Sequence, residues 1–151
     1  MSIEELRPVV RKLQQSGVTG VIKPVLEVLK SRSVDTAESF VATSDEGDEE
    51  VRAYWVDGEL LRTLVHTSDD GKAFAVERAY PLSRLHSVET SYAFPHVSGF
   101  WYWRRSVTIR LQDVEPIELD GGQSDPMEET PFSRFVDALT GALARRQTGT
   151  P

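Results

Sequence analysis

Residues 100–111 read Phe-Trp-Tyr-Trp-Arg-Arg-Ser-Val-Thr-Ile-Arg-Leu. Aromatic and β-branched side chains suit a pleated, half-buried surface. With the period of two that a strand imposes, Trp101, Trp103, Arg105, Val107, Ile109 and Leu111 fall on one face. Phe100, Tyr102, Arg104, Ser106, Thr108 and Arg110 fall on the other. The first face is a core wall with one charge in it. The second is polar, with two aromatics at its start. The spacing predicts one strand over the whole stretch, with Trp101, Trp103, Val107, Ile109 and Leu111 buried and Ser106 and Thr108 more exposed.

Upstream lies a succession of short strands. Residues 38–43 and 51–56 read as two of them, joined by the acidic turn of residues 44–50, Ser-Asp-Glu-Gly-Asp-Glu-Glu. That run lacks the alternating ligand spacing of an EF-hand loop and reads as a solvated hairpin tip. Asp57-Gly58 is a two-residue hairpin signal leading into residues 59–66. Ser68-Asp69-Asp70-Gly71 makes the next turn. Residues 72–80 follow, with Phe74, Val76 and Tyr80 on one face. Residues 82–93 begin irregularly and then extend, and residues 94–99, with Pro95 and Gly99, read as a loop. After the aromatic strand, Asp113-Val114-Glu115-Pro116 turns the chain into a short strand with Ile117 and Leu119 inward.

Helices stand at both ends. Residues 2–15 carry Leu6, Val9, Val10 and Leu13 at helical spacing, and Ser2 with Glu5 fits a capping box. Pro8 is awkward if that helix begins at Ile3 and comfortable if it begins near Arg7. A second helix over residues 21–32 has Ile22, Val25, Leu26 and Leu29 on one side, with Pro24 in its first turn. The pair reads as a helical hairpin packed on the body, or as a separate interaction element. The closing helix has Thr130 as N-cap, Pro131 at the first helical position, Arg145 and Arg146 near its end, and Phe132, Phe135, Val136, Leu139 and Leu143 as its apolar stripe.

With 151 residues the chain is long enough for a core without staples. The absence of cysteine excludes disulfides, thiolate metal sites and thiol catalysis. The net charge of −7 argues against nucleic acid and against stable association with an anionic membrane. No apolar run approaches a membrane span, and the charged first residues read as helix rather than signal peptide, so a cytoplasmic protein is expected. The charge is uneven: the first 32 residues hold six bases against three acids, which leaves the remainder strongly acidic.

The fold class expected is α+β, mainly β: about seven antiparallel strands in an orthogonal sandwich or partly open barrel, an N-terminal helical hairpin and a C-terminal capping helix. The domains expected are residues 1–33 for the hairpin, 34–146 for the β-domain with its helix, and 147–151 as a disordered tail. Over residues 35–146 this order resembles bacterial pleckstrin-homology-like domains. The resemblance rests on Tyr80-Pro-Leu-Ser-Arg-Leu-His-Ser-Val-Glu89, on Trp103-Arg-Arg-Ser-Val-Thr-Ile-Arg-Leu111, on Pro116-Ile-Glu-Leu-Asp120 and on residues 132–143. It implies a barrel end plugged by the helix. It also implies either headgroup binding through a basic first loop or protein recognition. Asp45, Glu46, Asp48, Glu49 and Glu50 occupy the position of that loop. Their sign is wrong for phosphate, which leaves protein recognition.

Candidate chemistry is sparse. His66, His86 and His96 have no ligand spacing, so neither a metal nor any other cofactor is expected. Ser39, Ser83 and Ser87 lack a nucleophile-elbow context. Gly121-Gly122-Gln123 does not open a helix as a phosphate cradle would. Glu77 and Glu89 are a conceivable carboxylate pair or partners for Arg105, whose charge on an apolar face needs pairing. The reading is therefore a non-enzymatic protein-interaction module, with Phe100, Tyr102, Arg104 and Arg110 as interface residues. The alternative is a small-ligand carrier with a barrel pocket near Trp101, Trp103 and Arg105. The partner expected is a protein, including a second copy held through the N-terminal helices, whose candidate docking surface is the face of Phe100 and Tyr102.

Overall fold

A computed structural model of the chain describes residues 1–44, 50–69, 71–123 and 127–147. The expected acidic turn falls outside these residues except for its ends, and so does all of the expected disordered tail but Gln147. The fold is α+β, mainly antiparallel strands, with helices at both ends, and no sheet closes into a barrel. The chain forms two compact units that divide between Tyr80 and Pro81.

In the first unit, α1 (Ile3–Gln15) and α2 (Lys23–Ser31) precede a four-stranded antiparallel meander. Its strands are β1 (Phe40–Ser44), β2 (Val51–Asp57), β3 (Leu60–Asp69) and β4 (Lys72–Pro81). The helix α1 starts at the earlier of the two positions considered. Ser2 caps it, accepting from the N–H of Glu5 at 3.3 Å, so Pro8 lies inside the helix. Proline cannot donate to the carbonyl four residues back, and the exposed Glu4–Arg7 pair flanks that gap. The helices are packed in cis. Leu6, Val9, Leu13, Val25 and Leu29 form one core cluster with Phe40, Ala42, Ala53, Trp55 and Leu64. The N–H of Ala42 donates to Ser16 Oγ at 3.2 Å, and Lys12 Nζ donates to the carbonyl of Ala37 at 2.6 Å. Within the first unit the apolar stripes of both helices are thus covered by its own sheet.

The β2–β3 loop is Gly58-Glu59, with Asp57 paired to Leu60 and Gly58 at φ 58°, one residue later than the sequence suggests. This positive φ at the first central position is the one only glycine adopts freely. On β4, Phe74 and Val76, which the sequence places on one face with Tyr80, are exposed.

In the second unit, β5 (Leu85–Ala93), β8 (Arg104–Leu111) and β9 (Ile117–Gln123) form a sheet in the order β5-β8-β9. The helix α3 (Pro131–Gln147) packs on β5 and on the turn at Leu82–Arg84. Thr130 Oγ1 accepts from the N–H of Ser133 at 3.2 Å, and the N–H of Thr130 donates to Ser133 Oγ at 2.8 Å, a reciprocal cap. Phe132, Phe135, Leu139 and Ala142 are buried, as are Val107, Ile109, Leu111 and Leu119, while Val136 and Leu143 are half-buried. Ser106 is exposed and Thr108 intermediate, so β8 has the facing that the period of two requires. Near its end α3 is tied down by Arg146, whose Nη1 donates to the carbonyl of Leu85.

Candidate functional site

The expected strand over residues 100–111 is not continuous. It is β8 from Arg104 onward. Before that, β7 (Phe100–Trp101) pairs with β6 (His96–Val97), and these two strands replace the expected loop over residues 94–99. Ser98 and Gly99 both have positive φ, 52° and 82°, the combination that closes a two-residue hairpin with the sheet's twist. The N–H of Tyr102 donates to the carbonyl of Pro95 at 3.0 Å and carries the pairing on toward β8. Among the described residues the pairing of β9 with β8 runs as far as Arg104, opposite Gln123. Beyond that point the hairpin of β5 and β8 is carried on by β6 and β7 as an arm, and among the described residues only these two strands pair there.

The arm is aromatic on both faces. Trp103 stands edge-on to Phe94 (centroids 5.0 Å apart) and to Tyr92 (6.0 Å), and the ring of His96 lies 4.6 Å from that of Trp101. These contacts place Tyr92, Phe94, His96, Trp101 and Trp103 on one side. That side continues the face on which Arg105, Val107 and Ile109 are buried. The other side carries Val97 opposite Phe100, and an open cleft lined by Pro95, Val97, Tyr102, Arg104 and Gln123. Trp101 is 71% exposed, Phe100 67%, Val97 55%, Phe94 52% and Trp103 42%. The expected burial of Trp101 and Trp103 is thus wrong. Their facing is the core's, but the layer that covers the core ends before it reaches them.

That layer ends at Arg105, which is 5% exposed. Its guanidinium lies 5.3 Å from the centroid of Phe132 at the start of α3, and its Nη2 donates to Thr130 Oγ1 at 3.4 Å. Neither carboxylate proposed as its partner takes that role. Glu77 binds Arg32 at 2.7 Å and Arg62 at 3.3 Å in the first unit, and Glu89 is exposed beside Thr108. An open cleft of about 340 Å³ adjoins Arg105 and is lined by Thr90, Tyr92, Phe132, Ser133, Glu128, Glu129 and Asp137, among others. Arg105 lines this cleft together with Tyr92 and Phe132, while Trp101 and Trp103 stand further out on the arm.

Of the interface candidates, Phe100 and Tyr102 share the arm. Arg104 stands at its base, exposed and bonded to Asp120 Oδ2 at 2.7 Å. Arg110 is exposed but six residues further along β8, on the order of 20 Å away. Sequence reasoning missed Tyr92, Phe94, His96 and Val97. The available signal was Ser98-Gly99, a turn dipeptide with aromatic runs on both sides. Electrostatically the arm is distinct, since no Asp or Glu occurs from Thr90 to Gln112 in a chain of net charge −7.

Among the described residues no group of three His, Asp or Glu side chains converges, and no helix is long and apolar enough to cross a membrane. His66 is buried in β3, while His86 and His96 are exposed in the second unit. No family model, no curated protein and no solved structure matches this chain.

Proposed function

We propose that the chain is a non-enzymatic protein-recognition module of pleckstrin-homology-like architecture and that the β5–β8 arm is its binding element. The order of four meandering strands, a second sheet of three and a closing helix supports the architecture. One observation carries the function: six large apolar side chains are exposed along one hairpin, with Tyr92, Phe94, Trp101 and Trp103 contiguous on one side and Val97 and Phe100 on the other. Single exposed apolar residues are ordinary, whereas a contiguous patch marks an interaction surface. Trp and Tyr supply large contact area at low conformational cost, and they dominate binding hot spots.

The test compares the full chain with the double variant Phe100→Ala, Trp101→Ala in affinity capture from the native host. Both side chains are exposed, so the variant should keep the wild-type unfolding midpoint. The expected result is a protein retained by the wild type and lost by the variant. Equal capture by the two would overturn the assignment of binding to the arm.

A further inference from the structure

Resting on the reading of the arm as a protein-binding element, we infer that its partner is a second copy of this chain, the two arms packed stripe to stripe about a two-fold axis near Trp103. A two-fold contact requires a surface that is complementary to itself. The stripe of Tyr92, Phe94, His96, Trp101 and Trp103 has that property in two respects.

The first is charge. No Asp, Glu, Lys or Arg lies between Ser91 and Trp103. Two arms can therefore meet without like charges opposed, although the chain as a whole carries −7 and repels its copies elsewhere. The second is the difference between the ends. At the tip, the imidazole of His96 packs on Trp101 and offers a ring N–H. At the base, the stripe runs into the open cleft rimmed by the exposed Glu128, Glu129 and Asp137. The Phe94–Trp103 pair stands two strand positions from His96–Trp101 and two from Tyr92–Arg105, about 7 Å each way. An antiparallel stack centred on Trp103 thus brings each tip to the other copy's base, with the His96 donor beside carboxylate acceptors.

The area agrees with a weak, concentration-dependent dimer. At roughly half of the 150–250 Å² an aromatic side chain can bury, the stripe offers about 400–500 Å² per copy. The total of about 1,000 Å² lies at the lower edge of specific interfaces.

Sedimentation equilibrium of the full chain, from micromolar to near-millimolar concentration, should show a monomer–dimer equilibrium. Trp103→Ser should weaken it about thirtyfold or more, as truncation of a central hot-spot aromatic does. The chain has no cysteine, so single-cysteine variants give a second readout. Phe94→Cys, near the axis, should form a disulfide-linked dimer on mild oxidation, and Val97→Cys, on the arm's other side, should not. A dimer indifferent to Trp103→Ser, with no Phe94→Cys cross-link, would overturn the inference. So would a monomer at every concentration. If that monomer still loses a captured host protein through Phe100→Ala, Trp101→Ala, only the second-copy assignment falls and protein recognition stands. A monomer that captures nothing, but whose tryptophan emission shifts to the blue on phosphatidylcholine vesicles, overturns both.

Discussion

Gly121 shows how closely the second unit is packed at the base of the arm. A Cβ built there would lie 2.7–2.8 Å from three carbons of the Phe132 ring. That ring is itself buried, with the Arg105 guanidinium over it. Gly121 is also the extra residue of the bulge in β9, where Arg105 faces Gly122 and Ser106 faces Asp120, and Gly122 takes φ 72°. The Gly-Gly pair is thus a packing and bulge device. Gly121→Ala should destabilise the fold by about 1–3 kcal/mol, as overpacking does, and urea unfolding will measure it. Asp120, beside it, makes a different prediction. Burial pushes its carboxyl up, but the hydrogen bond from Arg104, the N–H of Gly122 at 2.8 Å and the Arg104 charge outweigh burial and hold it below its ordinary 3.8. A depressed carboxyl stabilises the fold fully above its unfolded value, here about pH 4, and loses that contribution as pH falls through the lower folded value. Asp120→Asn should therefore narrow the stability difference between acid and neutral pH. The change should be small, because both partners are half exposed and water screens the pair. A variant whose acid unfolding profile overlays that of the wild type would show that the pair contributes nothing.

Among the elements, α3 is the best test of what holds the second unit. Leu139 and Phe135 are fully buried, so Leu139→Ala should cost about 2–5 kcal/mol, the transfer and cavity terms together. A loss within the range of surface substitutions, measured by chemical denaturation, would show that the helix is not docked. This helix was legible in the sequence because its signals are local: Thr130 and Pro131 set its start, and the spacing of Phe132, Phe135 and Leu139 sets its buried side. The helix α1 was legible for the same reason, through Ser2 and through Leu6, Val9 and Leu13. The facing of β8 was legible from Arg105 to Leu111. What periodicity does not carry is where the covering layer stops. Trp101 and Trp103 keep the parity of the core wall, yet α3 begins only at the level of Arg105, and among the described residues the pairing of β9 is followed only to Arg104. Burial of the tryptophans depends on those two distant elements, and neither leaves a mark on residues 100–104. The hairpin tip was hidden for a different reason. It needs a positive φ at Ser98, which a residue other than glycine uncommonly adopts, so Pro95 and Gly99 read as punctuation of a loop. The candidate site suffered accordingly. Phe100 and Tyr102 were identified from their parity, while their neighbours on β5 and β6 were not.

At the scale of the whole molecule, the N-terminal 33 residues decide whether the first unit exists at all. Two short helices are marginal in water on their own, and here they bury their stripes on β1, β2 and β3. Leu6, Val9, Leu13, Val25 and Leu29 are each at most 4% exposed, and Trp55, beneath them, is 1% exposed. The sheet depends on the helices in return, since Phe40, Ala42, Ala53, Trp55 and Leu64 all belong to that same cluster. Polar ties run the same way: Lys12 to the Ala37 carbonyl, Ser16 to the Ala42 N–H, and Arg32 to Glu77. Removing residues 1–33 would also remove a net positive segment from an acidic chain, adding to self-repulsion. The deletion should therefore uncover a large apolar face, which water does not tolerate in a stable fold. The expected product binds a hydrophobic dye, loses the cooperative unfolding of Trp55 and aggregates. A synthetic peptide of residues 1–33 added during refolding should restore part of the soluble fraction, because the lost contacts are packing contacts with no covalent requirement. A truncated chain as soluble and as stable as the full one by light scattering and thermal melting would mean that α1 and α2 are a dispensable appendage. The shared cluster would then not be what holds the first unit together.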